Sequence, residues 1–313
     1  MSQMTVPAQG RRGRPGRPPP ARGGTRQRPA RPAVRGLAAL ALPAFLLYGV
    51  FVLVALALAI GLSFTHWPVG GSVSFAGLAN WRAFFLQQGP HTLVVTGEVI
   101  GISLLVQIPL SIMLGIFTAG RQRYRAVLSW IYVLPLLISP TGIAITWSRL
   151  FDPTFGGLSG VLTQTWLSNS TTAPILVTLI FSWRIVPFYM ILVQAAVRTI
   201  PRELSEAAVL DGASRAAEIR HVILPQLRHT IVVVSILAVT GALTAFDLYY
   251  VMTGGGPDGA TTTLSVGVYL KAFADQVLGA ASVYAVVVAA VGVIFAATVS
   301  RVTGFGAMRS ERE

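Results

Sequence analysis

The sequence predicts an all-α fold, a polytopic membrane bundle of six transmembrane helices, and three observations carry that expectation. Of 313 residues, 53% are hydrophobic and only 11% are charged. Soluble chains carry roughly 25% charged residues, so this chain has too little charge to cover a water-facing surface. Apolar runs of at least ~20 residues, the length that crosses a bilayer core, recur along it. The basic residues fall on alternate connections, as the positive-inside rule requires. The absence of cysteine excludes disulfide scaffolds, thiol nucleophiles, Fe–S clusters and Cys-ligated zinc.

Residues 1–36 contain nine arginines and no acid among many Pro and Gly. Such a segment buries too little surface to offset chain entropy and is expected to be disordered. It reads either as a nucleic-acid arm or as a cytoplasmic tail attracted to anionic lipid. The apolar run that follows at once favours the lipid reading, with no nucleic-acid partner. That run is about twice an h-region of 7–15 residues, so it is expected to remain as an anchor.

The spans follow in order. The first, Leu37 to Phe64, has no charge, and the second, His91 to Thr118, holds only Glu98. Ala126 to Trp147 is broken by Pro135 and Pro140. Pro174 to Val197 contains Arg184, Ile231 to Met252 contains Asp247, and Ser282 to Val302 is uncharged. Pro135, Pro140 and Pro187 are expected to kink their spans. Gly97 and Gly101 have the GxxxG spacing that permits close helix packing. Nine basic residues in the tail, three in Gly120–Arg125, five in Arg198–Arg228 and three in Arg301–Glu313 put 20 of 24 on one side. Both termini are therefore expected in the cytoplasm, with a spanning domain over 37–305 and a short tail over 306–313. Trp67, Trp81, Trp130, Trp147 and Trp166 lie near span ends, as interfacial aromatics do.

No chemistry of its own is evident. A P-loop lysine follows a glycine and precedes Ser or Thr, whereas the single lysine, Lys271, stands in Val268-Tyr269-Leu270-Lys271-Ala272. His66, His91, His221 and His229 fall in different segments without ligand spacing, so no metal site is expected. No catalytic triad or paired carboxylates can be argued. Energy for transport would come from a partner or an ion gradient.

The connection after the fourth span is the most informative stretch. It reads as two short helices with a break. Pro201 suits a helix start, with Glu203 and Glu206 near the positive N-terminal end. Asp211-Gly212 is a turn signal, Ser214 can cap the second helix, and Pro225 ends it or opens the next. By these residues alone, docking into a groove and lying on the membrane are equally good readings.

This segment resembles the EAA motif of membrane subunits of binding-protein-dependent ABC importers. Glu206-Ala207-Ala208, then Gly212, then Val222-Ile223-Leu224-Pro225 stand at that motif's spacing, with Val222 in place of Ile. Phe246-Asp247-Leu248-Tyr249-Tyr250-Val251-Met252-Thr253-Gly254-Gly255-Gly256-Pro257 is similar to a stretch of the carbohydrate importers. Weaker echoes are Phe75 to Trp81, Leu150 to Pro153 and Trp183 to Phe188. Together these resemble the maltose or glycerol-phosphate type of permease, the first of the two paired permeases, over most of residues 37–305. The short Thr65–Pro90 loop departs from the maltose permease, and the Arg-rich tail is outside the pattern.

The resemblance implies a type I ABC importer permease fold in a bacterial inner membrane. It implies a second permease subunit, an ATPase dimer that binds ATP and Mg, and an extracytoplasmic sugar-binding protein. This chain would be a transport subunit, not an enzyme, with no cofactor of its own. Residues 200–227 would form the coupling loop, with Glu206, Ala207, Ala208, Asp211 and Gly212 meeting the ATPase. Leu224 and Pro225 would shape the return to the fifth span.

The substrate path is read from ionisable groups inside spans. Asp247 beside Tyr249 and Tyr250 could bind a sugar by hydrogen bonds and ring stacking. Equally, Asp247 could only satisfy the Thr253–Gly256 turn. Glu98 reads as a path residue or as an interfacial carboxylate on a bundle face, and Arg184 is placed to pair with Glu98 or Asp247. An ion-coupled secondary transporter is the alternative, but no internal repeat is detected and an EAA-like loop has no role there.

Overall fold

The computed structural model describes residues 34–120, 122–154, 156–157 and 166–302. The expected disordered tail lies outside the described residues up to position 33, and the expected tail over 306–313 lies wholly outside them. Among the described residues, two short strands apart, the regular structure is helical.

Helix α1 (Val34–Gly49) passes through a π-helical turn, Val50–Val54, into α2 (Ala55–Ser63). After β1 (Thr65–His66), β2 (Ser74–Phe75) and α3 (Ala79–Leu86) comes the second long helix, α4 (Gly89–Thr118). The strands pair antiparallel, Thr65 opposite Phe75. Then follow α5 (Arg123–Val133), α6 (Pro140–Leu150) and α7 (Thr172–Thr199). Three short helices come next, α8 (Arg202–Leu210), α9 (Arg215–Glu218) and α10 (Leu224–Gln226). The described residues end with α11 (Arg228–Thr244), α12 (Asp247–Thr253), α13 (Leu264–Tyr269) and α14 (Leu278–Val302).

Five helical stretches among the described residues are long and apolar enough to cross a membrane, starting at Leu42, Gly89, Thr172, Arg228 and Leu278. The sixth span is a broken one. Arg123–Leu137 and Pro140–Leu150 meet at 92°. The cause is local, because a residue before proline is pushed out of the helical region. Ser139, before Pro140, is extended (φ −55°, ψ 137°), and its hydroxyl then accepts from the Gly142 amide to start α6. Pro135 opens a 3-10 turn, Leu134–Leu137, at the end of α5. By contrast α7 runs unbroken through Pro187, so the kink expected there does not interrupt the helix.

The chain divides after Phe51 into two compact units. In the first, the side chains from Leu42 to Tyr48 are all exposed. The second holds the core, whose most extensive contact is α4 against α7. Between helices in lipid, close packing and hydrogen bonds replace the hydrophobic drive, and both are present here. A Cβ on Gly115 would stand 2.6 Å from Val193 Cγ1 and 3.1 Å from the Met190 carbonyl. Gln107 donates to Ser182 at 3.0 Å, and Gln194 donates to the Thr118 carbonyl at 2.8 Å. Gly97 and Gly101 face open space, so the GxxxG pair is not where helices meet in this chain.

One end of the second unit is stapled by hydrogen bonds. Asn80 donates to the carbonyls of Ser63 (3.0 Å) and Thr65 (2.8 Å), and Trp81 Nε1 donates to the Ser63 hydroxyl (3.1 Å). The amides of Val69 and Leu278 donate to the carbonyls of Gln276 and Trp67. These bonds fasten the start of α14 to the β1–β2 hairpin and α3.

Candidate functional site

At the end of the second unit where α4 and α7 finish, the chain turns into α8. Pro201 precedes it with extended backbone, and α8 ends in a Schellman arrangement. The Ala213 amide donates to the Ala208 carbonyl, and the Gly212 amide to that of Val209, both within 3.0 Å. Gly212 has φ +78°, a left-handed conformation that any Cβ strains. Ser214 accepts from the Ala217 amide and starts α9, as its position predicts. A π-helical turn, Ile219–Ile223, and α10, opened by Pro225, lead into α11.

No residue of α8 is buried. Glu206, Ala207, Asp211 and Gly212 are exposed and Ala208 is half-buried. Beside them Val209 is 63% and Leu210 87% exposed, so an apolar tip projects from the bundle without a partner. Leu224 is half-buried and Pro225 exposed on the return path. Val209 and Leu210 were not singled out from the sequence, where they read as ordinary helix content.

The second candidate region is the break between α11 and α12 and the loop beyond. Ala245 is extended, and α12 ends in the left-handed Gly254 (φ 63°), followed by Gly255 (φ 92°). Three threonines hold this Gly-Gly-Pro loop. Thr261 Oγ1 shares a hydrogen bond with Thr253 Oγ1 at 2.6 Å and donates to the Gly256 carbonyl; Thr262 donates to that of Gly255. Thr263 caps α13 by accepting from the Val266 amide.

The predicted path residues are not brought together. Asp247 is exposed at the first turn of α12, and no hydrogen bond ties it to the Thr253–Gly256 turn, which Thr261 and Thr262 satisfy instead. Tyr249 is fully buried, and its hydroxyl hydrogen-bonds Thr178 at 2.9 Å, so in this conformation it is a packing residue with no free surface for a solute. Glu98 is exposed on α4. Arg184 forms an ion pair with neither Glu98 nor Asp247; the ion pairs among the described residues are Arg215–Glu218 and Lys271–Asp275. Its buried Nε has no hydrogen-bond partner among the described residues.

Tyr250 instead belongs to an aromatic ladder that sequence reading did not assemble. Phe246 stacks on Tyr250 (5.2 Å between centroids, 14° between planes), Tyr250 meets Tyr269 at 4.5 Å, and Tyr269 meets Phe273 at 4.9 Å. Half of this ladder lies on α13 and the turn after it, a short apolar helical segment, Leu264–Ala274, that falls below the length of a span.

Residues 107–303 match the family described as the binding-protein-dependent transport system inner membrane component. The chain belongs to this family. The permease is 31% identical over 295 residues to the diacetylchitobiose uptake system permease protein NgcF of Streptomyces coelicolor, covering 85% of this chain and 82% of that one. It is 31% identical over 233 residues to the sn-glycerol-3-phosphate transport system permease protein UgpA of Yersinia pestis, covering 70% and 77%. Among solved structures, a chain of the bacterial alginate ABC transporter, in complex with its pentasaccharide-bound periplasmic protein, shares the fold. The TM-score is 0.71 at 23% identity, over 85% of this chain and 94% of that one. The permease is thus a multi-pass membrane subunit of an ABC importer, and the ion-coupled secondary transporter is not favoured.

Proposed function

We propose that this permease forms half of the translocation pathway of an ATP-driven carbohydrate importer. In this reading it couples through α8 to a cytoplasmic ATPase that binds ATP and Mg. The single observation that carries the coupling role is the unpartnered tip of α8, where the EAA residues stand beside Val209 and Leu210 on a helix with no buried residue. Two adjacent exposed apolar side chains at the end of a helix that buries nothing support a protein contact there. Glu206, Ala207, Ala208, Asp211 and Gly212 meet the ATPase there, and Leu224 and Pro225 carry its displacement into α11. Two such subunits and two ATPases make the machine, and a binding protein outside delivers the solute. The basic loops support an orientation with α8 and both termini in the cytoplasm of a bacterial inner membrane.

Carbohydrate is the substrate class supported by the named relatives and by the ladder of Phe246, Tyr250, Tyr269 and Phe273. Aromatic faces stack on the C–H faces of sugars, and Asp247 next in sequence supplies an acceptor for hydroxyls. Glu98 and Arg184 are weaker candidates for the path.

The test is uptake in whole cells. Glu206→Lys and Gly212→Asp are each expected to abolish uptake while the chain stays in the membrane, and uptake by the unaltered protein is expected to survive collapse of the proton gradient at constant ATP. Normal uptake in both variants would remove the coupling assignment, and loss of uptake with the gradient would remove the ATP-driven one.

A further inference from the structure

Two cavities lie side by side along the last turns of α4, the first bounded also by α5, α7, α8 and α9 and the second by α5, α9 and the turn into α10, and neither has a role in the transport path described above. The first, about 630 Å³, is lined by Arg125, Arg198, Arg202 and Arg215 with Glu218 as its one acid. The second, about 690 Å³, is an apolar groove lined by residues such as Ile108, Met113, Phe117 and Leu224. They share Ile116, Arg125 and Arg215, so the basic cavity opens directly onto the groove.

Charge in the first cavity is unbalanced. Glu218 is already taken by Arg215 at 2.7 Å. Arg125, Arg198 and Arg202 have no ion pair among the described residues. Arg125 is held in place without being neutralised: it donates to the Phe117 carbonyl at 2.9 Å and lies over the Phe117 ring at 4.9 Å. From Ile108 to Phe117 the groove follows α4 for roughly 13 Å at ~1.5 Å per residue, close to the ~15 Å depth of one leaflet. A cationic recess at the headgroup level, continuous with an apolar channel one leaflet deep, matches one ligand shape.

We infer that this composite pocket is a binding site for an anionic phospholipid of the inner leaflet. Its phosphate lies among Arg125, Arg198 and Arg202, and one acyl chain lies in the groove along Ile108–Phe117. Basic pockets between helices on the cytoplasmic side are the recognised setting for such headgroups. Because Arg202 and Ser205 of α8 line the cavity beside the ends of α4 and α7, a bound lipid ties the coupling helix to the bundle. Its occupancy therefore sets how firmly α8 is held. The inference rests on the inward orientation of α8 proposed above.

The experiment uses the assembled transporter in mild detergent, with native mass spectrometry of retained lipid after exchange against mixed phosphatidylglycerol and phosphatidylcholine. Retained phosphatidylglycerol in excess over phosphatidylcholine is expected, falling about fivefold for each arginine removed in Arg125→Gln and Arg198→Gln. Met113→Trp, which fills the groove and leaves every charge, is expected to lose the lipid. Arg220→Gln, an exposed change outside both cavities, is expected to keep it. Equal retention of the two lipids, or retention unchanged in the double Gln variant or in Met113→Trp, would overturn the proposal. So would displacement of the lipid by millimolar inorganic phosphate, which would make the site one for a free anion. Labelling of Glu203→Cys, an exposed position on α8, from outside the cell would remove the orientation instead, so the two failures are separable.

Discussion

Gly115 sits at a tight contact of α4 with α7, with Val193 Cγ1 2.6 Å and the Met190 carbonyl 3.1 Å from the place a Cβ would take. A carbonyl on a helix cannot swing aside as a side-chain tip can. Gly115→Val is therefore expected to overpack this contact by about 1–3 kcal/mol, read as a fall in the melting temperature of the detergent-solubilised transporter. Gly97→Val, where a Cβ meets nothing, is the matched control and is expected to leave it unchanged. The same contrast shows what was legible at this scale. The GxxxG spacing marks a helix face that allows close approach, but it does not say whether a neighbour arrives. The residue that meets one, Gly115, is a lone glycine whose partner lies 78 positions away. Tyr249 and Tyr250 likewise stand together in the sequence as path candidates beside Asp247. Adjacent positions on a helix point about 100° apart, so one enters the core and the other joins the ladder.

At the scale of elements, α7 and α12 are joined by the buried Thr178–Tyr249 hydrogen bond at 2.9 Å. Thr178 Oγ1 also donates to the Pro174 carbonyl at 2.6 Å, so the Tyr249 hydroxyl is the donor in this bond; removing Thr178 leaves that hydroxyl unsatisfied in the core, whereas removing Tyr249 leaves Thr178 its bond to Pro174. Tyr249→Phe and Thr178→Val are each expected to destabilise the subunit, and the double variant to cost less than their sum. The coupling energy should be about 0.6 kcal/mol and at most ~2 kcal/mol. An additive cycle would show that the bond contributes nothing. The spans themselves were legible because ~20 apolar residues in a row have few alternative uses. The coupling segment was legible because its signals are local: Pro201, Asp211-Gly212, Ser214 and Pro225 each punctuate the backbone where they stand. The Leu264–Ala274 segment was missed because it is apolar but half the length of a span. The bend in the third span was expected from Pro135 and Pro140, but its size, 92°, depends on two successive extended residues, Ile138 and Ser139.

For the molecule as a whole, large apolar side chains such as Trp130, Leu105, Leu137 and Ile294 stand exposed around the bundle. Lipid and the second permease subunit proposed above would be the natural cover. Within the second unit, order is distributed unevenly along the membrane normal. The hairpin, α3 and the start of α14 are fastened by the Asn80, Trp81, Val69 and Leu278 bonds, whereas α8 has no buried residue. Segments with few buried contacts open at low free energy. Amide hydrogen exchange is therefore expected to be fast over 202–213 and slow over 172–199 in the subunit without its ATPase. Protection of 202–213 is expected to rise when the ATPase docks, and equal protection of the two stretches beforehand would contradict this account. A body clasped at one end and loose at the other works like a pair of tongs. Its travel is least beside the clasp and greatest at the tip, so the Asn80–Trp81 staple is where a swing begun at α8 would pivot.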